Sequence, residues 1–80
     1  MVSITFHPAK RDKTLLERGL DFEHASIVFR GKTFSKPSDV ALHNEERRFT
    51  VGFLNERMVV VVWTERDNSR RIISMRYANE

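Results

Sequence analysis

The sequence predicts an α+β fold in which two N-terminal helices pack on a mainly antiparallel β-sheet. Three observations carry that expectation. Phe22, Ala25, Val28 and Phe29 fall at spacings of three and four, the period of one buried helical stripe. Arg47 to Leu54 alternates, with Phe49, Val51 and Phe53 on one face and Arg48 and Thr50 on the other, the period of a strand. Met58-Val59-Val60-Val61-Val62-Trp63 is an almost unbroken apolar run that demands burial in a sheet. It passes through Thr64-Glu65-Arg66, turns at Asp67-Asn68-Ser69 and returns as Arg70 to Tyr77.

The elements follow in order. Ile4 and Phe6 alternate as a short first strand. Pro8 suits the first turn of a helix, which runs to Arg18 and stops at Gly19. Leu15 and Leu16 supply its apolar contact, and Lys10, Arg11, Asp12 and Lys13 form its solvated side. Asp21 is a good N-cap for a second helix that Gly31 closes, and His24 falls on its surface. The stretch from Gly31 to Asn44 reads as a short strand near Thr33-Phe34 and then a loop, with Lys36-Pro37-Ser38-Asp39 as its turn signal. Asn55-Glu56 is a tight turn between the next two strands, and the final hairpin completes an antiparallel meander.

A three-residue loop at Asp67, Asn68 and Ser69 sets Arg66 opposite Arg70. Trp63 then meets Ile73, Val61 meets Met75, Val59 meets Tyr77, and Glu65 meets Arg71 at the rim of an apolar face under the helices. The other face carries Arg66, Arg70, Ser74 and Arg76. A slip of one residue in the loop would reassign these faces.

A chain of 80 residues forms one domain, which buries only about 60% of its unfolded surface. With no cysteine, disulfides, thiol catalysis and Cys-ligated metals are excluded. His7, His24 and His43 are widely spaced and share no ligand motif, so no metal or other cofactor is expected. No stretch reaches the roughly 18 apolar residues of a membrane span, and the opening residues lack the pattern of a signal peptide. A cytoplasmic location is the expectation. The net charge of +3 says less than its distribution. From Arg47 to Arg76 every cation is arginine, whereas the lysines occupy the first half. Arginine grips phosphate or carboxylate with a planar fork. The competing reading is a sheet edge protected by charge.

Several segments together resemble the BrnT family, the ribonuclease toxins of type II toxin–antitoxin modules. Phe6-His7-Pro8-Ala9-Lys10 is similar to the family's aromatic-Asp-Pro-x-Lys opening, and Arg18-Gly19-Leu20-Asp21-Phe22 to its His-Gly-Val-x-Phe element. Glu46-Arg47 resembles the Glu-Arg that opens the next strand, with Gly52 matching a glycine downstream. Val59 to Arg66 resembles an apolar strand ending in Thr-Glu-Arg, and Arg71 to Ala78 resembles Arg-Ile-Ile-Ser-Ala-Arg-x-Ala. The likeness spans nearly the whole chain in order. Departures stand at Glu17-Arg18, where the family usually has Lys-His, and at His7, where it has Asp.

The resemblance implies a RelE/ParE-like toxin fold over a single domain, residues 1–80, that lacks the short C-terminal helix of relatives. It implies RNA cleavage that blocks translation, and a cognate BrnA-like antitoxin with a DNA-binding part. A dimer within the toxin–antitoxin complex is also expected. Metal-free cleavage requires an activated 2′-hydroxyl, stabilisation of the phosphorane charge and a proton for the 5′-oxygen. Arg47, Arg66, Arg71 and Arg76 are expected to contain the phosphate-binding group, although Arg71 reads equally as a structural partner of Glu65. Glu46 or Glu65 is the candidate base and His43 or His7 the candidate acid. Arg18, Arg48, Arg70 and Trp63 are candidate RNA contacts. Trp63 is offered for stacking on a base, while its place in a valine strand makes it core; Tyr77 has the same two readings. The rival to a nuclease is a non-catalytic RNA- or protein-binding module that uses the arginine-rich sheet face.

Overall fold

Alternation gives β1 (Ser3–Phe6), whose Ile4 and Phe6 pack against the core. α1 (Pro8–Arg18) starts where the missing N–H of Pro8 costs nothing. His7 caps it, with Nδ1 accepting from the Ala9 N–H at 3.2 Å. Gly19 ends it at φ 70°, donating its N–H to the Leu15 carbonyl, a left-handed turn that glycine adopts without strain. Asp21 caps a 3₁₀ turn (Phe22–His24) rather than a full helix, and α2 (Ala25–Arg30) continues from it. The strands that follow are β2 (Phe34–Pro37), β3 (Arg48–Leu54), β4 (Arg57–Arg66) and β5 (Ser69–Tyr77). This computed structural model describes residues 3–37 and 46–79. His43, and Ser38 and Asp39 of the expected turn, lie outside the described residues.

The five strands form one mixed sheet in the order β1-β5-β4-β3-β2. β2 through β5 pair antiparallel, and β1 lies parallel to β5. Lys36 and Pro37, expected in a turn, extend β2 instead. β2 is an edge strand paired to β3, where a residue without an N–H is tolerated.

The helix-side face of the sheet holds the core. Val59, Val61 and Met75 are fully buried there, with Phe22, Ala25 and Val28 descending from the 3₁₀ turn and α2. Phe6 meets Phe22 edge to face at 5.9 Å, and Phe29 meets Trp63 in the same way at 5.6 Å. α2 approaches closely because Gly52 has no side chain. A Cβ built there lies 2.6 Å from Cγ1 of Val28 and 3.1 Å from Cγ2 of Thr33.

α1 departs from expectation. It contributes no buried residue; Leu15 is 38% exposed and Leu16 88%. Polar contacts hold it in place. Arg11 makes a two-pronged pair with Asp21, Nε to Oδ1 at 2.9 Å and Nη2 to Oδ2 at 2.7 Å. Arg18 Nη1 donates to the Met75 carbonyl at 2.9 Å. β1 pairs with β5 only as far as Ile72, and Arg18 meets the strand beyond that point.

The final hairpin is also built differently. Its turn has two residues, Asp67 and Asn68, with φ of 51° and 63°. Both central residues at positive φ define the tight turn whose twist suits a hairpin. Arg66 therefore pairs with Ser69, Glu65 with Arg70, Thr64 with Arg71 and Trp63 with Ile72. The register then shifts between Val62 and Trp63, leaving Ile73 as the extra residue of a bulge. From Val62↔Ser74 to Val59↔Tyr77 the pairing is the one expected from sequence. The three-residue loop is thus wrong at the turn and its consequence right at the far end.

Two tests follow from this packing. Gly52→Ala should lower stability by about 1–3 kcal/mol, the usual effect of overfilling a packed contact, measured by urea unfolding. The hydrogen bonds from Arg11 lower the Asp21 carboxyl from 3.8 to about 2, with burial opposing and the Glu23 N–H assisting. A folded-state pKa below the unfolded one gives stability that is complete above 3.8 and lost as pH falls through about 2. Asp21→Asn keeps the cap and removes the charge. Its melting temperature should lie below that of the unmodified protein at about pH 6, and the gap should close as pH falls through that window.

Candidate active site

On the sheet face away from α2, a cavity of about 260 Å³ is lined by His7, Lys10, Arg47, Thr64, Arg66, Arg71 and Ile73. Each residue arrives by a local rule. The two-residue turn sets Arg71 opposite Thr64, and strand alternation places Arg66 two residues along on the same face. His7 and Lys10 come from the start of α1, so the positive end of that helix borders the cavity. Arg47 comes from the residues leading into β3. Thr64 holds that lead-in: it is 4% exposed, and its hydroxyl donates to the Glu46 carbonyl at 2.7 Å. One buried hydroxyl thereby fixes the backbone that presents Arg47 beside Arg66 and Arg71.

The structure sorts the expected residues. Arg47, Arg66 and Arg71 are brought together. Arg71 is not the cross-strand partner of Glu65; that place belongs to Arg70. Arg76 shares the open face but pairs with Val60, four residues along β4 from Thr64. At about 3.3 Å per residue this is roughly 13 Å away, and Arg76 does not line the cavity. Glu46 and Glu65 line an adjoining hollow of about 280 Å³ with Arg48, and Thr64 forms the wall shared by the two spaces.

The expected RNA contacts fall elsewhere. Arg70 is on the helix side, its guanidinium 4.1 Å from the Phe29 ring centre and 5.2 Å from that of Trp63. Arg48 pairs with Glu46 at 3.2 Å and lies 5.7 Å from the Trp63 ring centre. Arg18 anchors α1 to the Met75 carbonyl. Trp63 is core: it is 8% exposed and donates Nε1–H to Thr50 Oγ1 at 2.8 Å. Packing, not base stacking, is its role. Tyr77 is half-buried under the Arg57 guanidinium, at 3.6 Å.

Sequence reasoning missed Thr64 and Lys10. The sequence puts Lys10 with Arg11 and Lys13 on one wet helix face, but the structure divides them. Arg11 is held by Asp21 and Asp12, whereas Lys10 lines the cavity. The signal for Lys10 was its place just after Pro8, in the turn that follows β1. Thr64 carried only the signal of a hydroxyl in an otherwise apolar strand.

The arrangement is suited to an anion. Three guanidinium groups and an ammonium from separate elements share one concavity, where they can hold several oxygens of a phosphate at once. His7 Nδ1 accepts from Ala9, so the neutral ring carries its proton on Nε2. Among the described residues no group of three or more His, Cys, Asp or Glu is placed to hold a metal ion. Among them, too, no helix is long and apolar enough to cross a membrane. Thr64→Val should cost about 1 kcal/mol through loss of the Glu46 anchor, read by urea unfolding, and should raise amide exchange at Glu46 and Arg47.

Compared with known families, residues 6–80 match the model described as "Ribonuclease toxin, BrnT, of type II toxin-antitoxin system". No curated protein matches the chain.

Proposed function

The chain belongs to the BrnT family of ribonuclease toxins of type II toxin–antitoxin systems, and on that premise we propose that its arginine cavity is where RNA is cut. The observation that carries this reading is the convergence of Arg47, Arg66 and Arg71 with Lys10 and His7 in one concave site.

The chemistry follows from the chain's own groups. The 2′-oxygen of a ribose attacks the adjacent phosphorus, its proton passing to a base, and the bond to the 5′-oxygen breaks as that oxygen gains a proton. The products are a 2′,3′-cyclic phosphate and a 5′-hydroxyl, with no metal required. Arg47, Arg66 and Arg71 bind the phosphate and stabilise the extra negative charge of the phosphorane. They stand on a sheet and its lead-in, so little reorganisation is needed as charge develops. Lys10 adds a point charge at the mouth. Glu46, beside the Thr64 wall, serves as base; Glu65 stands opposite Arg70 on the helix side, away from the cavity. His7 serves as acid once protonated, at the expense of its bond to Ala9.

The family brings a cognate antitoxin as partner and RNA as target. Action in the cytoplasm, and two copies of this chain in the toxin–antitoxin complex, are part of the proposal. The mass of the purified complex tests the second point.

The decisive experiment is cleavage of RNA by purified protein. Arg66→Ala and Arg71→Ala should each lower kcat by about 10²–10³, the usual effect of removing one transition-state donor. Arg76→Ala should change it less than about tenfold, and EDTA should leave cleavage intact. Undiminished cleavage by Arg71→Ala would remove the cavity from the mechanism.

A further inference from the structure

Beside the arginine cavity, the same sheet face exposes apolar side chains that the cleavage reaction does not use. Phe34 on β2 is 69% exposed, Phe53 on β3 54% and Met58 on β4 47%. Register places them together: Phe34 pairs with Val51, Phe53 with Met58, and Phe49 with Val62. α2 covers the opposite face through Gly52. A cluster of this kind on so small a domain marks a surface meant to be covered.

We infer that this face, Phe34, Phe53 and Met58 at its centre, is the docking site for an amphipathic helix of the antitoxin that carries carboxylates along its margins. The inference rests on the toxin reading, which supplies the partner. Geometry selects a helix. A sheet face presents side chains and no free backbone groups, so another layer must pack on it. The patch crosses three strands, about 10 Å between the outer two at ~4.8 Å per step, close to the ~10–12 Å width of one helix. Along the strands, Phe49 to Phe53 spans about 13 Å at ~3.3 Å per residue, roughly nine residues of helix.

Charge selects the margins. Alternation puts Lys36, Arg66, Arg71 and Arg76 on this face and no acidic residue among the described strand positions that share it. A helix with acidic flanks meets Lys36 on one side and Arg76 on the other, whereas a basic helix meets like charge. Toward the cavity the patch ends at Phe49 and Val62, two residues along β4 from Thr64 in the cavity wall. A helix that continues about two turns past that end brings its acidic margin to Arg71, opposite Thr64, so docking and inhibition become one event.

The test uses purified chain and purified cognate antitoxin. Phe34→Glu and Phe53→Glu are exposed substitutions that should leave the melting curve and RNA cleavage of the free toxin unchanged. Each should weaken antitoxin binding by roughly thirty-fold or more, as loss of an aromatic anchor does. Lys36→Glu should weaken it several-fold at low salt and little at high salt. Leu16→Glu, on α1 and more exposed than either phenylalanine, should bind normally. Unchanged binding by both phenylalanine variants overturns the proposal. So does loss of RNA cleavage by them, which makes the face a substrate surface, or a change in the free chain's mass, which makes the occupant a second copy. A protein that fails to cut RNA yet shows the expected binding pattern would sink the nuclease reading and leave the docking face standing.

Discussion

A mismatch of one residue between the two halves of the last hairpin governs this molecule. The turn closes with two residues, Asp67 and Asn68, while the far half keeps the register of a three-residue loop. Ile73 absorbs the difference as a bulge. Side chains alternate strictly along a strand, so this residue decides which arginines face the helices and which face the open side. With the two-residue turn, it sends Arg70 over Phe29 and Arg71 into the cavity with Arg66. The turn-side register brings Arg71 to Arg66, and the bulge then returns Met75 to the core opposite Val61. Without the bulge, a single alternation would have to choose between a filled core and a formed site.

The arginines accordingly divide into structural and site groups. Arg11 ties α1 to Asp21, Arg18 ties it to β5, Arg48 and Arg70 lie beside Trp63, and Arg57 covers Tyr77. These contacts use the flat guanidinium against rings, carbonyls and carboxylates, which an ammonium does less well. Arg47, Arg66 and Arg71 line the concave site, and Arg76 lies on the open face apart from it. The arginines of the second half of the chain therefore occupy two kinds of place, packing contacts and the concave site.

The two sheet faces follow the same division. The helix side is closed by a short amphipathic segment that relies on one bare glycine for its approach. The other side combines exposed rings with cations. α1 belongs fully to neither, because polar contacts hold it beside β5 with both leucines exposed. Its position places His7 and Lys10 in the lining of the cavity, although it contributes no buried residue to the core.

Local rules read from the chain determined much of this. Alternation located β1 and β3; the apolar run and its return after a turn located β4 and β5; the stripe from Phe22 to Phe29 located the segment over the core; Pro8, Gly19 and Asp21 set their boundaries. Burial of Trp63 and the pairing of Val59 to Val62 were also legible, because a valine run has one stable environment. The family likeness, and with it the arginine set as candidates, came from ordered motifs. What only the tertiary structure decided was which members of that set meet. Turn length, the bulge at Ile73, the parallel placement of β1 and the seat of α1 each depend on contacts between residues distant in sequence. Sequence patterns report the periodicity of one segment, whereas a site is fixed by the register between segments, and a shift of one residue exchanges Arg70 for Arg71.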